Sequence, residues 1–77
     1  MSKVYVLTNE TVHCLIGVFS THKAATAAML NVSSGWHVDD VKLGPVCDEY
    51  KFISPDECEV QEYCIEQAEL DDPMFMP

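Results

Sequence analysis

Residues 54–70 read SPDECEVQEYCIEQAEL, and the fold turns on whether they form a helix or a strand. Ser54-Pro55-Asp56-Glu57 matches a capping box, with Ser at the N-cap, Pro at the first helical position and Glu three residues after the Ser. Beyond it, Val60, Tyr63, Cys64 and Ala68 fall at helical spacing, which would set Glu59, Glu62, Glu66 and Glu69 along the opposite side. The same letters also fit one short helical turn followed by a strand through residues 63–71. In a strand Glu62 and Glu66 share one face, as do Glu57 and Glu59. Under either reading, carboxylates line up outward.

Outward from that stretch, the remaining segments are plainer. Residues 46–53 (VCDEYKFI) alternate, with Val46, Tyr50 and Phe52 on one face of a strand. Gly44-Pro45 is a turn. Residues 36–43 (WHVDDVKL) predict another strand, and a parity switch at Asp39-Asp40 predicts a bulge there. Upstream, Ser20 or Thr21 caps a helix that runs to about Asn31, rich in Ala24, Ala25, Ala27 and Ala28. Its apolar stripe is Ala25, Ala28, Met29 and Val32, and Gly35 follows its end. Residues 3–8 (KVYVLT) and 11–19 (TVHCLIGVF) predict an antiparallel hairpin joined at Asn9 and Glu10. Gly17 marks a bulge or a close contact. The expected core is Leu15, Ile16, Val18, Ala28, Met29 and Trp36.

The charge is lopsided. Residues 46–72 carry ten acids against Lys51, whereas residues 1–45 balance Glu10, Asp39 and Asp40 with Lys3, Lys23 and Lys42. The net charge of −9 therefore resides in the second half. Such a field repels nucleic acid and anionic lipid and attracts basic surfaces. There is no Arg, the usual bidentate ligand for phosphate, which further argues against direct nucleic-acid binding. No apolar run reaches signal-peptide or membrane-spanning length, so a cytoplasmic protein that does not engage membranes is expected. In a reducing compartment Cys14, Cys47, Cys58 and Cys64 would be free thiols.

KVYVL, then IGVFS, then a Lys-Ala pair in an Ala-rich helix, then Tyr63, Ile65, Glu66, Glu69, Leu70 and Asp71 in a Tyr-x-Ile-Glu-x-x-Glu-Leu-Asp ending, resemble a family of small, mostly bacteriophage-encoded proteins. The match covers about a third of the chain. The departures are His22-Lys23 in the first helical turn, where family members often carry an acid, and Ala68, where an aromatic is common. The resemblance implies that residues 63–71 are a strand. It carries no catalytic residue.

Other chemistry finds little purchase. The cysteines lack the close spacing of zinc ligands, and they suit a core as small apolar side chains. His13 and Cys14 are adjacent in a strand and point to opposite faces. His37 and Asp39 would share a face. No phosphate loop, nucleophile triad or acidic metal motif is present, so no cofactor, metal or catalytic residue is expected.

The resulting expectation is a single α+β domain over residues 1–72: an antiparallel sheet of three to five strands with one Ala-rich helix on one face. Residues 54–70 would form a turn plus strand in preference to a second helix, and residues 73–77 a short apolar tail. The expected function is that of a small acidic, non-enzymatic binding protein. Asp56, Glu57, Glu59, Glu62, Glu66 and Glu69 would engage a basic surface of a host polymerase, nuclease or defence effector. Tyr50, Phe52 and Tyr63 would add apolar contacts. The alternative is an assembly or homodimeric accessory protein whose acids serve solubility.

Overall fold

The computed structural model describes residues 2–70, and for Ser2 and Leu70 the backbone alone. Asp71, Asp72 and the apolar tail at 73–77 lie outside the described residues. The elements run β1 (Ser2–Asn9), β2 (Cys14–Phe19), α1 (His22–Val32), β3 (His37–Leu43), β4 (Cys47–Ile53) and β5 (Val60–Leu70). All five strands join one antiparallel sheet in the order β2-β1-β5-β4-β3.

Among the described residues the fold is sheet-rich with a single short helix, which corrects the expected helix-packed α+β class. A helix about 10 Å across covers about half of a five-strand sheet about 19 Å wide. α1 packs mainly on β1, β2 and β5, and much of the β4–β3 side is left without a helix.

The second-helix reading of residues 54–70 is also overturned. β5 is the central strand. It pairs with β1 from Ser2↔Leu70 to Asn9↔Tyr63 and with β4 from Cys47↔Glu66 to Ile53↔Val60. Two full ladders of backbone hydrogen bonds outweigh a helical period that only one side chain in three or four supports. Nor does the capping box start a helical turn. Glu57 sits at φ 61, in the left-handed region, after a single Glu57 N–H to Ser54 carbonyl bond of 2.9 Å.

The β1–β2 link is longer than expected. Asn9 Oδ1 accepts from the Thr11 amide (2.9 Å) and the Val12 amide (3.3 Å), and His13 adopts φ 54, so β2 begins only at Cys14. Register then decides the core. Leu7 pairs with Gly17 and Tyr5 with Phe19 on the helix side, so Val18, opposite Val6, faces away. A register shift between Leu7 and Thr8 puts Leu15 opposite Thr8 on that same far side. Leu15 and Val18 are 59% and 55% exposed, which corrects their assignment to the core. The Gly17 contact expected from sequence is with Phe19: a β-carbon at 17 would lie 2.9 Å from the Phe19 ring.

The core consists of Leu7, Ala25, Met29, Phe52, Tyr63 and Ile65, with Tyr5, Ile16, Phe19, Ala28, Trp36 and Tyr50 packed against it. Phe52 and Tyr63 meet edge to face, with centroids 5.6 Å apart. Thr21 caps α1 by accepting from the Ala24 amide at 3.0 Å. Ser33 closes the other end, its amide and hydroxyl both reaching the Met29 carbonyl, and Gly35 follows at φ 87. β3 carries the expected bulge, between Val38 and Asp40.

Candidate functional site: the open face of the sheet

Residues directly opposite across antiparallel strands share a face. From the helix-side set (Leu7, Phe52, Tyr63 and Ile65) the other face follows strand by strand. Glu62, Cys64 and Glu66 come from β5, and Cys47, Glu49 and Lys51 from β4. Asp40 and Lys42 come from β3, Val4, Val6 and Thr8 from β1, and Leu15 and Val18 from β2. No helix covers this side among the described residues.

The charged part forms two rows. Asp40, Lys51 and Glu62 are opposite one another in the first; Lys42 and Glu49 are opposite in the second, which ends on Cys64. Glu10 joins the first row from the β1–β2 loop, where its amide donates to the Glu62 carbonyl at 2.7 Å. Together Glu10, Asp40, Lys42, Glu49, Lys51, Glu62 and part of Tyr63 line a shallow groove of about 230 Å³. Five acids (with Glu66) face two lysines, and the lysines lie on the β3–β4 side. The excess of negative charge therefore falls along β5 and the neighbouring loop. On β1 and β2 the same face turns apolar, with half-buried Val4 and Val6 beside exposed Leu15 and Val18.

The structure brings together only part of the acidic set expected from sequence. Glu62 and Glu66 lie on the open face, both exposed. Glu69 has the opposite parity and stands across from Lys3 on the helix side. Asp56, Glu57 and Glu59 sit in the β4–β5 loop. Asp56 serves the loop itself. The Ser54 hydroxyl and the Cys58 amide (3.0 Å) both donate to its carboxylate, which holds its pKa below the usual carboxylate value. The buried Ser54 hydroxyl in turn accepts from the Glu59 amide at 3.0 Å.

The expected apolar contacts are corrected. Tyr63 and Phe52 are 5% and 1% exposed and belong to the core, and half-buried Tyr50 shares their face. Sequence reasoning missed Glu10, Asp40 and Glu49. A signal for Glu49 was present: with Tyr50 and Phe52 read on one face of the strand, Glu49 and Lys51 had to lie on the other. Glu10 reaches the face only through a partner distant in sequence, Glu62, and Asp40 through the β3 bulge that sets it opposite Lys51.

A second polar constellation joins helix to sheet. His22 Nε2 lies 2.7 Å from Asp48 Oδ2, which also accepts from the Tyr50 hydroxyl at 3.3 Å. Tyr5 meets the His22 ring edge to face at 5.7 Å. Burial first, and then the Asp48 charge and hydrogen bond, push the Tyr50 phenol above its ordinary pKa. The Thr26 hydroxyl lies 3.4 Å from His22 Nδ1, but it donates to the His22 backbone carbonyl at 2.9 Å. This is a back-bond within the helix, and the group anchors the start of α1 to β4. No hydrogen bond links His37 and Asp39, for which sequence parity suggested a shared face. The bulge re-aims Asp39, whose carboxylate lies 3.9 Å from Lys51 Nζ.

Among the described residues no group of three or more His, Cys, Asp and Glu side chains is placed to hold a metal ion, and no helix is long and apolar enough to cross a membrane. Comparison with protein-family models, with curated proteins and with solved structures gives no match to this chain.

Proposed function

We propose that this chain is a small acidic, non-enzymatic binding protein that engages a basic surface of another protein through the open face of its sheet. One observation carries the reading. Carboxylates from both halves of the chain meet on an uncovered face, beside exposed Leu15 and Val18. Acids steer the encounter with a basic partner, and an adjoining apolar patch supplies contacts that persist in salt. In this reading Leu15, Val18 and Val6 take the part that sequence had given to Tyr50, Phe52 and Tyr63.

The resemblance to phage-encoded proteins directs the search to bacterial cytoplasmic proteins whose basic surface holds nucleic acid: a polymerase, a nuclease or a defence effector. Carboxylates on the sheet would stand in for phosphates and occlude that surface. The test is affinity capture from bacterial lysate at low and high salt, with the Glu62→Lys/Glu66→Lys variant run beside the native chain. A basic protein held by the native chain, reduced by salt and lost with the variant, supports the reading. Capture indifferent to both overturns it.

One observation favours a second reading. Val38, Val41 and Leu43 of β3 are 54%, 42% and 74% exposed on the helix side, beyond the reach of α1. Self-association through this row would make the protein a homodimeric accessory whose acids serve solubility. The β3 bulge and the charges of Asp39, Asp40 and Lys42 disfavour pairing along the strand edge itself, so packing would be face to face. Sedimentation across a concentration range decides it.

A further inference from the structure

Cys47 and Cys64 occupy a diagonal of the open face. Cys47 is opposite Glu66 and Cys64 is opposite Glu49, so the two cysteines lie two residues out of register on adjacent strands. Side chains that lean along their strands bring the sulfurs to 2.7 Å, about 0.7 Å beyond the length of a disulfide bond. Cys14 and Cys58 are also free thiols, but both are exposed and bond only to nearby backbone carbonyls.

We propose that Cys47 and Cys64 form a reactive dithiol that closes to a cross-strand disulfide by exchange with a small-molecule disulfide such as oxidised glutathione. The two thiols differ in the way that such a sequence of steps requires. Cys47 is half-buried on an uncovered face and within reach of a small molecule. Cys64 is 7% exposed. Burial, the hydrogen bond and charge of Cys47, and the carboxylates of Glu10 and Glu66 push its pKa up to about 12, so it does not compete for the first attack.

The thiolate of Cys47 attacks one sulfur of the glutathione disulfide. A mixed disulfide forms, and the first glutathione leaves as a thiolate that takes up a proton. That step removes both the hydrogen bond and the charge with which Cys47 holds the Cys64 proton in place. Cys64 then loses its proton to solvent and attacks the sulfur of Cys47. The Cys47–Cys64 bond forms as the Cys47–glutathione bond breaks, and the second glutathione leaves and is protonated. Two electrons and two protons pass from the cysteines to the glutathione disulfide.

The bridge joins β4 to β5 and encloses the segment 47–64. That segment includes the Ser54–Asp56 turn and six acids, Asp48, Glu49, Asp56, Glu57, Glu59 and Glu62. The exchange itself requires no basic partner, so its test is independent of the function proposed above.

The native chain is incubated with oxidised glutathione without denaturant. Remaining thiols are then alkylated and the chain is cut at its lysines. The expected result is loss of two of the four thiols, with residues 43–51 joined to residues 52–77 through a bond that dithiothreitol reverses. Cys14 and Cys58 should be recovered alkylated. Cys64→Ser should stop at one glutathione on Cys47, and Cys47→Ser should leave Cys64 a free thiol. Circular dichroism of both variants establishes that they are folded. Retention of all four thiols, losses at Cys14 or Cys58 in place of the pair, or a lasting mixed disulfide in the native chain would overturn the proposal. So would failure of the folded Cys64→Ser variant to take up glutathione at Cys47.

Discussion

The Glu10 amide donates to the Glu62 carbonyl at 2.7 Å, and this bond carries a carboxylate from the charge-balanced half of the chain to the acidic central strand. Glu10 and Glu62 therefore act in one field, although 52 positions separate them in sequence. Charge reversal should reflect this. Glu62→Lys/Glu66→Lys and Glu10→Lys should both slow association with a basic partner, and added salt should reproduce the effect in the native chain. Glu69→Lys, on the other side of the sheet, should matter less. Stability should move by only about 0.5 kcal/mol for such exposed changes. Association rates at two ionic strengths check it, and equal effects of Glu62→Lys and Glu69→Lys would count against the open-face reading.

The assignment of faces has its own test in stability. Phe52→Ala removes a core ring that is 1% exposed and should cost about 3–5 kcal/mol, enough to unfold much of a small domain. Leu15→Ala, at 59% exposure, should stay within about 0.5 kcal/mol. Urea midpoints of the two variants compare them directly. Similar losses would mean that the β2 register is misassigned.

Asp56 should give the β4–β5 loop a pH dependence of defined sign. Its folded pKa is depressed, chiefly by the Ser54 hydroxyl and then by the Cys58 amide. The stabilisation is therefore present above the unfolded value of about 3.9 and is lost as pH falls through the folded value. Asp56→Ala should melt below the native chain at pH 7, and the gap should narrow in acid below that unfolded value. Thermal melts across that range measure it; a gap that widens on acidification would refute the assigned role.

Tyr50 offers a local probe of the helix anchor. Its phenol pKa is raised first by burial and then by the Asp48 charge and hydrogen bond. Asp48→Asn removes the charge and leaves the burial, so the Tyr50 midpoint should fall toward 10.0 without a change of core packing. Ring resonances followed through the alkaline titration report it. An unchanged midpoint would show that Asp48 does not act on the phenol.

Much of the fold was legible locally. A helix cap at Ser20 or Thr21, the Asp39–Asp40 irregularity and the shared face of Tyr50 and Phe52 follow from residues within a few positions of one another, where capping and alternation operate. The sequence also determined the charge imbalance and the acids available to any site. Register and strand order were decided only by tertiary structure. Whether residues 60–70 form a helix or a strand depended on β1 and β4 arriving on either side to supply two ladders. Val18 was sent outward by its pairing with Val6, and Leu15 by a register shift at Leu7–Thr8 that no local pattern reveals. The same long-range pairing set Glu10 beside Glu62 and brought Cys47 to Cys64. A strand's alternation states which residues share a face; only its hydrogen-bonded neighbours determine which face is buried and what lies across from it.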